Sequence, residues 1–211
     1  MHGDHATLII CKHMPQFGSG FGERLDWLDE AVDLMSQMLT KGEGTARGKF
    51  YHAKNVRNDQ RPVQAHLPIL IGGSGEKKTL HTVAKYADAW NFGGDIEKAR
   101  HKDEVLRRWC DEVGRDQSEI ERSLGVGQLV IREDPAQARS VADEIRRRNG
   151  NHRNEIRTAG AEELADWLVP FVDLGFRSIL FDSPEPHDSE TLERFIKEVK
   201  PMVEARAGSS S

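Results

Sequence analysis

Pro68-Ile69-Leu70-Ile71-Gly72-Gly73-Ser74-Gly75-Glu76-Lys77-Lys78-Thr79-Leu80 is the stretch whose reading decides the fold. A short apolar run of β type enters three glycines and a serine, and a helix-like segment leaves them. Strand, glycine turn and helix N-terminus in that order form a geometry that binds phosphate. Glycines let the backbone come close, the first N–H groups of a helix lack internal partners, and the helix dipole adds positive charge there. On these residues alone two readings stand side by side. One is a phosphate cradle; the other is a tight βα turn whose glycines serve positive φ and hold no ligand.

Working outward, a helix is expected from about Glu76 to Ala87, with Leu80, Val83 and Ala84 inward. Asp88-Ala89-Trp90-Asn91-Phe92 reads as the next strand, closed by Gly93-Gly94. A helix follows from about Ile96 to Val113, with Val105, Leu106 and Trp109 on one face and Gly114 stopping it. Gln117 to Ser123 reads as a helical turn and Leu124 to Ile131 as a third strand. Asp134 caps the helix after it, with Pro135 at the first position, and that helix runs to about Arg148. The segment from Asn149 to Arg157 is polar and reads as mobile. Thr158 or Gly160 opens a helix through Leu164, Trp167, Leu168 and Phe171, and Arg177 to Asp182 is a fourth strand. Asp188 or Ser189 caps the last helix.

Upstream, Glu23 to Thr40 is the clearest helix, because Leu25, Leu28, Val32, Met35 and Leu39 make one apolar stripe. Residues 45–67 are polar and turn-rich, with Lys49-Phe50-Tyr51 as a short extended piece. Ala6 to Cys11 reads as a further strand in an otherwise irregular opening, and Phe17 to Gly22 as a connecting loop. Strands alternating with helices form the pattern of a parallel sheet with right-handed crossovers. Runs as short and apolar as Ile69-Leu70-Ile71 suit a sheet covered on both faces.

Composition bounds the function. The 211 residues are 37% hydrophobic and 31% charged, which suits a globular domain with one sizeable core. No run approaches the ~18 apolar residues of a membrane span, and the opening lacks the build of a signal peptide. The net charge of −5 argues against nucleic acid as the main partner. Arg146-Arg147-Arg148 sits beside acidic residues and reads as a solvated helix face. Two cysteines, Cys11 and Cys110, lie far apart without metal spacing, and the histidines show no metal arrangement. No metal, no membrane and a cytoplasmic setting are the expectations.

The stretch Pro68 to Leu80, followed by Ala84-Lys85-Tyr86-Ala87-Asp88-Ala89-Trp90-Asn91, resembles the luciferase-like monooxygenase superfamily. More narrowly it is similar to the deazaflavin (coenzyme F420)-dependent oxidoreductases of actinobacterial type. Gly22-Glu23-Arg24-Leu25 with Glu30-Ala31, Arg61-Pro62-Val63-Gln64, Val113-Gly114-Arg115-Asp116, Asp173-Leu174-Gly175-Phe176 and Phe181-Asp182-Ser183-Pro184 agree with it. The resemblance covers roughly residues 20 to 204.

The resemblance implies an α/β fold that is part of a (β/α)8 barrel of TIM type, with the cofactor at the C-terminal ends of the strands. It implies that Gly72, Gly73, Ser74 and Gly75 contact the cofactor phosphate and that Asn91, with Trp90, lies near the same mouth. Trp90 also reads as a core aromatic and Asn91 as a turn-former. Glu76 reads as favouring a helix N-terminus, and Lys77 and Lys78 as solvated. The later strands and helices of the barrel are present and the first strands have no counterpart, where a full barrel has eight strands and usually about 250 residues. The expected organisation is an irregular segment over 1–21, a partial barrel over 22–204 and a disordered tail over 205–211. Three readings of the short barrel follow: a piece or mis-started reading frame of a full oxidoreductase, a homodimer that closes the barrel, or a shortened non-catalytic flavin-binding relative. The irregular opening before Gly22 favours the first.

The implied chemistry is hydride transfer between F420 and a small organic substrate, with an FMN-dependent monooxygenase as the alternative. No catalytic acid or base is singled out. His187 follows the fourth strand on the side where sites form, but reads first as an exposed loop histidine, and His66 and His81 fall on the same side.

Overall fold

The computed structural model describes residues 8–10, 21–60, 62–148, 156–183 and 187–207. Two compact units arise: one from the described residues up to Phe92 with Arg100–Glu121, the other from Gly93–Ala99 with the residues from Arg122 onward.

In the first unit the elements are β1 (Leu8–Ile10), α1 (Phe21–Lys41), β2 (Glu43–Arg47), β3 (His52–Arg57), β4 (Ile69–Gly72), α2 (Thr79–Tyr86) and β5 (Ala89–Phe92). The helix α3 (Ile96–Val113) and a 3-10 turn at Gln117–Glu119 follow. β4 pairs in parallel with β1 on one side and with β5 on the other, in the register Leu70↔Ala89, Ile71↔Trp90, Gly72↔Asn91. Ile69, Leu70 and Ile71 are all buried, so this strand is covered on both faces and reads as an unbroken apolar run. Leu80, Val83 and Ala84 of α2 are fully buried, as their spacing predicts.

Asp88 fixes the entry ends of these strands. Its Oδ2 accepts the Ile69 N–H at 2.7 Å, its own N–H donates to the Ile69 carbonyl at 2.9 Å, and its carbonyl accepts the Glu121 N–H at 2.9 Å. His66 Nε2 lies 2.7 Å from the other carboxylate oxygen.

The polar stretch after α1 holds an antiparallel hairpin, β2 with β3, instead of one short extended piece. Lys49 and Phe50 are in the bend between its strands. The hairpin is almost wholly exposed along β3 and is held from α1 by two side chains, Gln37, whose Oε1 accepts the Thr45 N–H at 3.2 Å, and Glu30. The Glu30 carboxylate accepts the N–H groups of Lys49, Phe50 and Tyr51 at 2.7, 2.8 and 2.9 Å.

In the second unit β6 (Glu121–Ile131), α4 (Pro135–Arg148), β7 (Ile156–Ala159), α5 (Ala161–Asp173), β8 (Phe176–Asp182) and α6 (Ser189–Arg194) lead through a π turn at Phe195–Val199 into α7 (Lys200–Ala207). β6 pairs in parallel with β7 along its last residues and with β8 along its earlier ones. Asp134 accepts the Ala136 N–H at 2.8 Å, the cap expected ahead of Pro135. β7 is a strand where a mobile segment and a helix start were expected, and Gly160 then opens α5. β6 begins at Glu121, inside the expected helical turn, which shrinks to Gln117–Glu119. Arg146 pairs with Asp143 at 2.7 Å, and Arg147 and Arg148 both pair with Glu144. The expectations for Phe17–Gly20, Arg61, residues 149–155, the Pro184–Pro186 loop and the last four residues lie outside the described residues.

Candidate functional site

Gly72 ends β4, and its register partner on β5 is Asn91, so two residues singled out in the sequence become neighbours. A side-chain carbon on Gly72 would sit 4.0 Å from Asn91 Cβ. One residue on, Gly73 takes φ +127° and donates its N–H to the Asn91 carbonyl at 3.1 Å. Only glycine holds that backbone conformation without strain. At Gly75 the demand is steric: an added Cβ would meet Thr79 Oγ1 at 2.8 Å. The turn is therefore closed to side chains at 73 and 75.

The helix does not start at Glu76. Residues 76–78 form a turn, Leu80 N–H reaches back to the Gly75 carbonyl at 3.0 Å, and α2 begins at Thr79 with no side-chain cap. Among the described residues the N–H groups of Ser74, Gly75, Glu76 and Lys77 have no acceptor within the chain. Ser74 is half-buried, and Gly75, Glu76 and Lys77 are exposed. Unpaired main-chain donors grouped on a glycine turn ahead of a helix form an anion-binding arrangement.

Two indoles fix the carbonyls that flank these donors. Trp90 is fully buried, as a core aromatic would be, and it also donates Nε1–H to the Gly73 carbonyl at 2.8 Å. Trp109 of α3 donates Nε1–H to the Glu76 carbonyl at 2.6 Å, while its ring lies 4.5 Å from that of His81. Trp109 was expected only as part of an apolar face. Glu76 does not serve the helix N-terminus. Its Oε1 takes Lys102 Nζ at 2.5 Å and lies 2.9 Å from His101 Nε2. Hydrogen bonds from Lys102 and then His101 hold its carboxyl below the usual carboxylate range.

The remaining singled-out side chains fall outside this arrangement. His66 is engaged by Asp88 at the opposite ends of the strands, and Lys78 pairs with Asp26 at 2.6 Å. Lys77 is exposed. His187 is exposed, with Nδ1 2.8 Å from the Ser183 carbonyl. No group of three or more metal-ligating side chains occurs among the described residues.

The second unit has its own cluster beyond the end of β6. Arg132 is buried, and its guanidinium donates to Asp188 Oδ1 at 2.8 Å, to the Ile131 carbonyl at 2.8 Å and to Thr191 Oγ1 at 3.2 Å. A cavity of about 500 Å3 is lined by Arg132, Glu133, Thr158, Gly160, Glu162 and Asp166 among others. Glu133 is already committed: it accepts the Ala161 N–H at the start of α5 and pairs with Arg194 at 2.6 Å.

A glycine turn at the C-terminal end of a parallel strand, with βα units on either side of it, lies where α/β folds place their ligand sites. The chain belongs to the luciferase-like monooxygenase family, whose model matches residues 12–174. An F420-dependent glucose-6-phosphate dehydrogenase of Kineococcus radiotolerans is 25% identical over 86% of this chain and 61% of that protein. Pyrimidine monooxygenase RutA of Allorhizobium ampelinum is 33% identical over a shorter stretch, 37% of this chain and 21% of that one. Among solved structures, an F420-dependent secondary alcohol dehydrogenase, in complex with an F420-acetone adduct, superposes with a TM-score of 0.71 at 17% identity, covering 94% of this chain and 69% of that one. The coenzyme F420-dependent tetrahydromethanopterin reductase of Methanopyrus kandleri gives 0.64 at 14% identity, covering 82% and 63%. The fold is thus α/β and part of a (β/α)8 barrel, as the sequence suggested. The chain spans about three fifths of the Kineococcus protein's length. No described helix is long and apolar enough to cross a membrane.

Proposed function

We propose that this chain is an oxidoreductase segment that holds coenzyme F420 by its phosphate at Gly72, Gly73, Ser74 and Gly75, with Asn91 beside them. The observation that carries the reading is the run of unpaired N–H groups from Ser74 to Lys77 on a turn where Cβ atoms are excluded at 73 and 75. Such a turn fits a phosphate, because main-chain donors and close backbone approach are what phosphate binding uses. F420-dependent relatives of similar sequence and fold support the choice of cofactor.

When bound, the coenzyme supplies hydride-transfer chemistry toward a small organic substrate. The chain's own part is to hold. The glycines admit the phosphate, the flanking carbonyls are turned away to indole donors, and Asn91 borders Gly72. A second reading, a monooxygenase with FMN as the cofactor, takes its cofactor from the likeness to a riboflavin lyase structure with modified FMN, TM-score 0.66, and its reaction class from the RutA match.

Titration of the purified chain with F420 and with FMN, followed by cofactor fluorescence, tests both. Saturable binding of F420 at lower concentration than FMN is the expected result. The reverse order would favour the monooxygenase reading, and no binding of either would overturn the cofactor assignment. Turnover is checked separately by loss of the oxidised deazaflavin's absorbance with small alcohols as hydride donors, and by its return from the reduced coenzyme with small aldehydes as acceptors.

A further inference from the structure

The two indole bonds flank the unpaired donors, at the carbonyls of Gly73 and Glu76. A trans peptide is planar, and its N–H points opposite to its C=O. With the Gly73 carbonyl drawn to Trp90, the Ser74 N–H of the same peptide is turned away from Trp90. With the Glu76 carbonyl drawn to Trp109, the Lys77 N–H is turned away from α3. The donors at the two ends of the run are thus aimed by side chains from β5 and α3.

The hold from α3 is more than one bond. Lys102 and His101 reach the Glu76 carboxylate from a point about two helical turns before Trp109, so one face of α3 grips both the main chain and the side chain of Glu76. Trp109 is in turn backed by the His81 ring from α2. A free glycine turn would sample many peptide orientations and lose part of its binding free energy in ordering them.

We propose that Trp109, through the Glu76 carbonyl, is a positioning residue that sets the peptide orientation of the cradle and so tunes its affinity for a phosphate-bearing cofactor. This rests on the cofactor reading above and adds a residue outside the turn to it. Trp109 is only half-buried, and phenylalanine keeps a ring against His81 while removing the donor. Trp109→Phe therefore isolates the bond.

Two measurements test this on the whole chain. The first needs no ligand: amide hydrogen exchange at Gly73 and Leu80, whose N–H groups bond the Asn91 and Gly75 carbonyls on either side of the unpaired run, in wild type, Trp109→Phe and Trp167→Phe, the last removing an indole from the other unit. Exchange should rise in Trp109→Phe alone; unchanged exchange overturns the clamp. The second compares affinity for F420 with affinity for the phosphate-free ribityl-deazaflavin. Trp109→Phe should weaken F420 binding by roughly tenfold, about 1.4 kcal/mol, and leave binding of the ribityl-deazaflavin within about twofold of wild type. Equal loss for both compounds, or no loss for either, overturns the positioning role. Failure of the wild-type chain to bind F420 defeats the cofactor reading, and the exchange comparison then still decides whether the clamp exists.

Discussion

A carbon added to Gly73 would lie 3.2 Å from Thr79 Cγ2, at a backbone φ of +127°. Two separate penalties therefore meet at one residue: a conformation that L side chains avoid, and a contact with a buried β-branched neighbour that has little freedom to turn. Gly73→Ala is expected to destabilise the fold by about 1–3 kcal/mol and to weaken F420 binding. Adding Thr79→Ser removes the clashing methyl and should recover only the contact part. Urea unfolding of the single and double variants measures the division, and full recovery in the double variant would show that backbone strain contributes nothing.

Asp188 makes the second unit acid-sensitive. Burial pushes its carboxyl up, but bonds from Arg132 and Thr191 outweigh this and hold it below the usual aspartate range. A depressed folded value means the stabilisation is present above the unfolded pKa of about 3.9 and is lost as pH falls through the folded value. Asp188→Asn should lower the urea midpoint at neutral pH, because the buried Arg132 loses the nearer and more buried of its two carboxylate partners and keeps only Glu190. The wild-type and variant midpoints should converge as pH falls below the unfolded aspartate value and through the lower folded one. A constant gap at all pH values would count against this account.

Tyr86 works at the other end of the scale. Burial first, then the charges of Asp33 and Asp29 and a bond to Asp33, push its phenol up to about 12. The folded state thus favours the neutral form. Its contribution is complete below the unfolded value near 10 and is lost as pH rises toward about 12. Absorbance titration should show one of the two tyrosines ionising late. Tyr86→Phe should remove that late phase, and persistence of the phase would count against its assignment to Tyr86.

Glu30 is expected to hold the hairpin. Burial raises its carboxyl, yet the N–H bonds from Tyr51, Phe50 and Lys49 bring it below the usual range. Glu30→Ala should speed protease cleavage within residues 48–51 while circular dichroism in the helical region changes little. Glu30→Gln keeps an acceptor and should fall between the two. Cleavage at the wild-type rate in Glu30→Ala would show that the bend is ordered by other contacts.

What the sequence revealed follows from where the signal lay. β4 and its turn were legible because Ile69, Leu70 and Ile71 are apolar without a break and the glycines end the run. The β2–β3 hairpin was hidden because most of its side chains face solvent, and its bend is closed by a carboxylate some twenty residues earlier, at Glu30. β7 escaped because Ile156-Arg157-Thr158-Ala159 has only its outer two residues buried, and Arg157 spends its length over the Trp167 ring, 4.0 Å from the centroid. Of the candidate site, the glycines and Asn91 were singled out from pattern and resemblance, and the structure makes Gly72 and Asn91 register partners. The donors at Trp90 and Trp109 were not singled out, since apolar spacing reports which way a ring faces and says nothing about where an indole N–H ends. The helix was expected to start three residues early because Glu76 and the two lysines favour helix, whereas the bonds from α3 draw Glu76 out of it.

The unpaired donors from Ser74 to Lys77 are main-chain groups, present whatever side chains those positions carry. Recognition written in this way is insulated from ordinary mutation. Positions 74 and 77 can exchange their side chains, and with them the local charge and bulk around a ligand, while the donors stay in place. The constraint moves to the glycines and to two tryptophans, one of them far along the chain. A saturation library across the region should therefore be permissive at positions 74 and 77 and intolerant at Gly73, at Gly75 and at the two tryptophans.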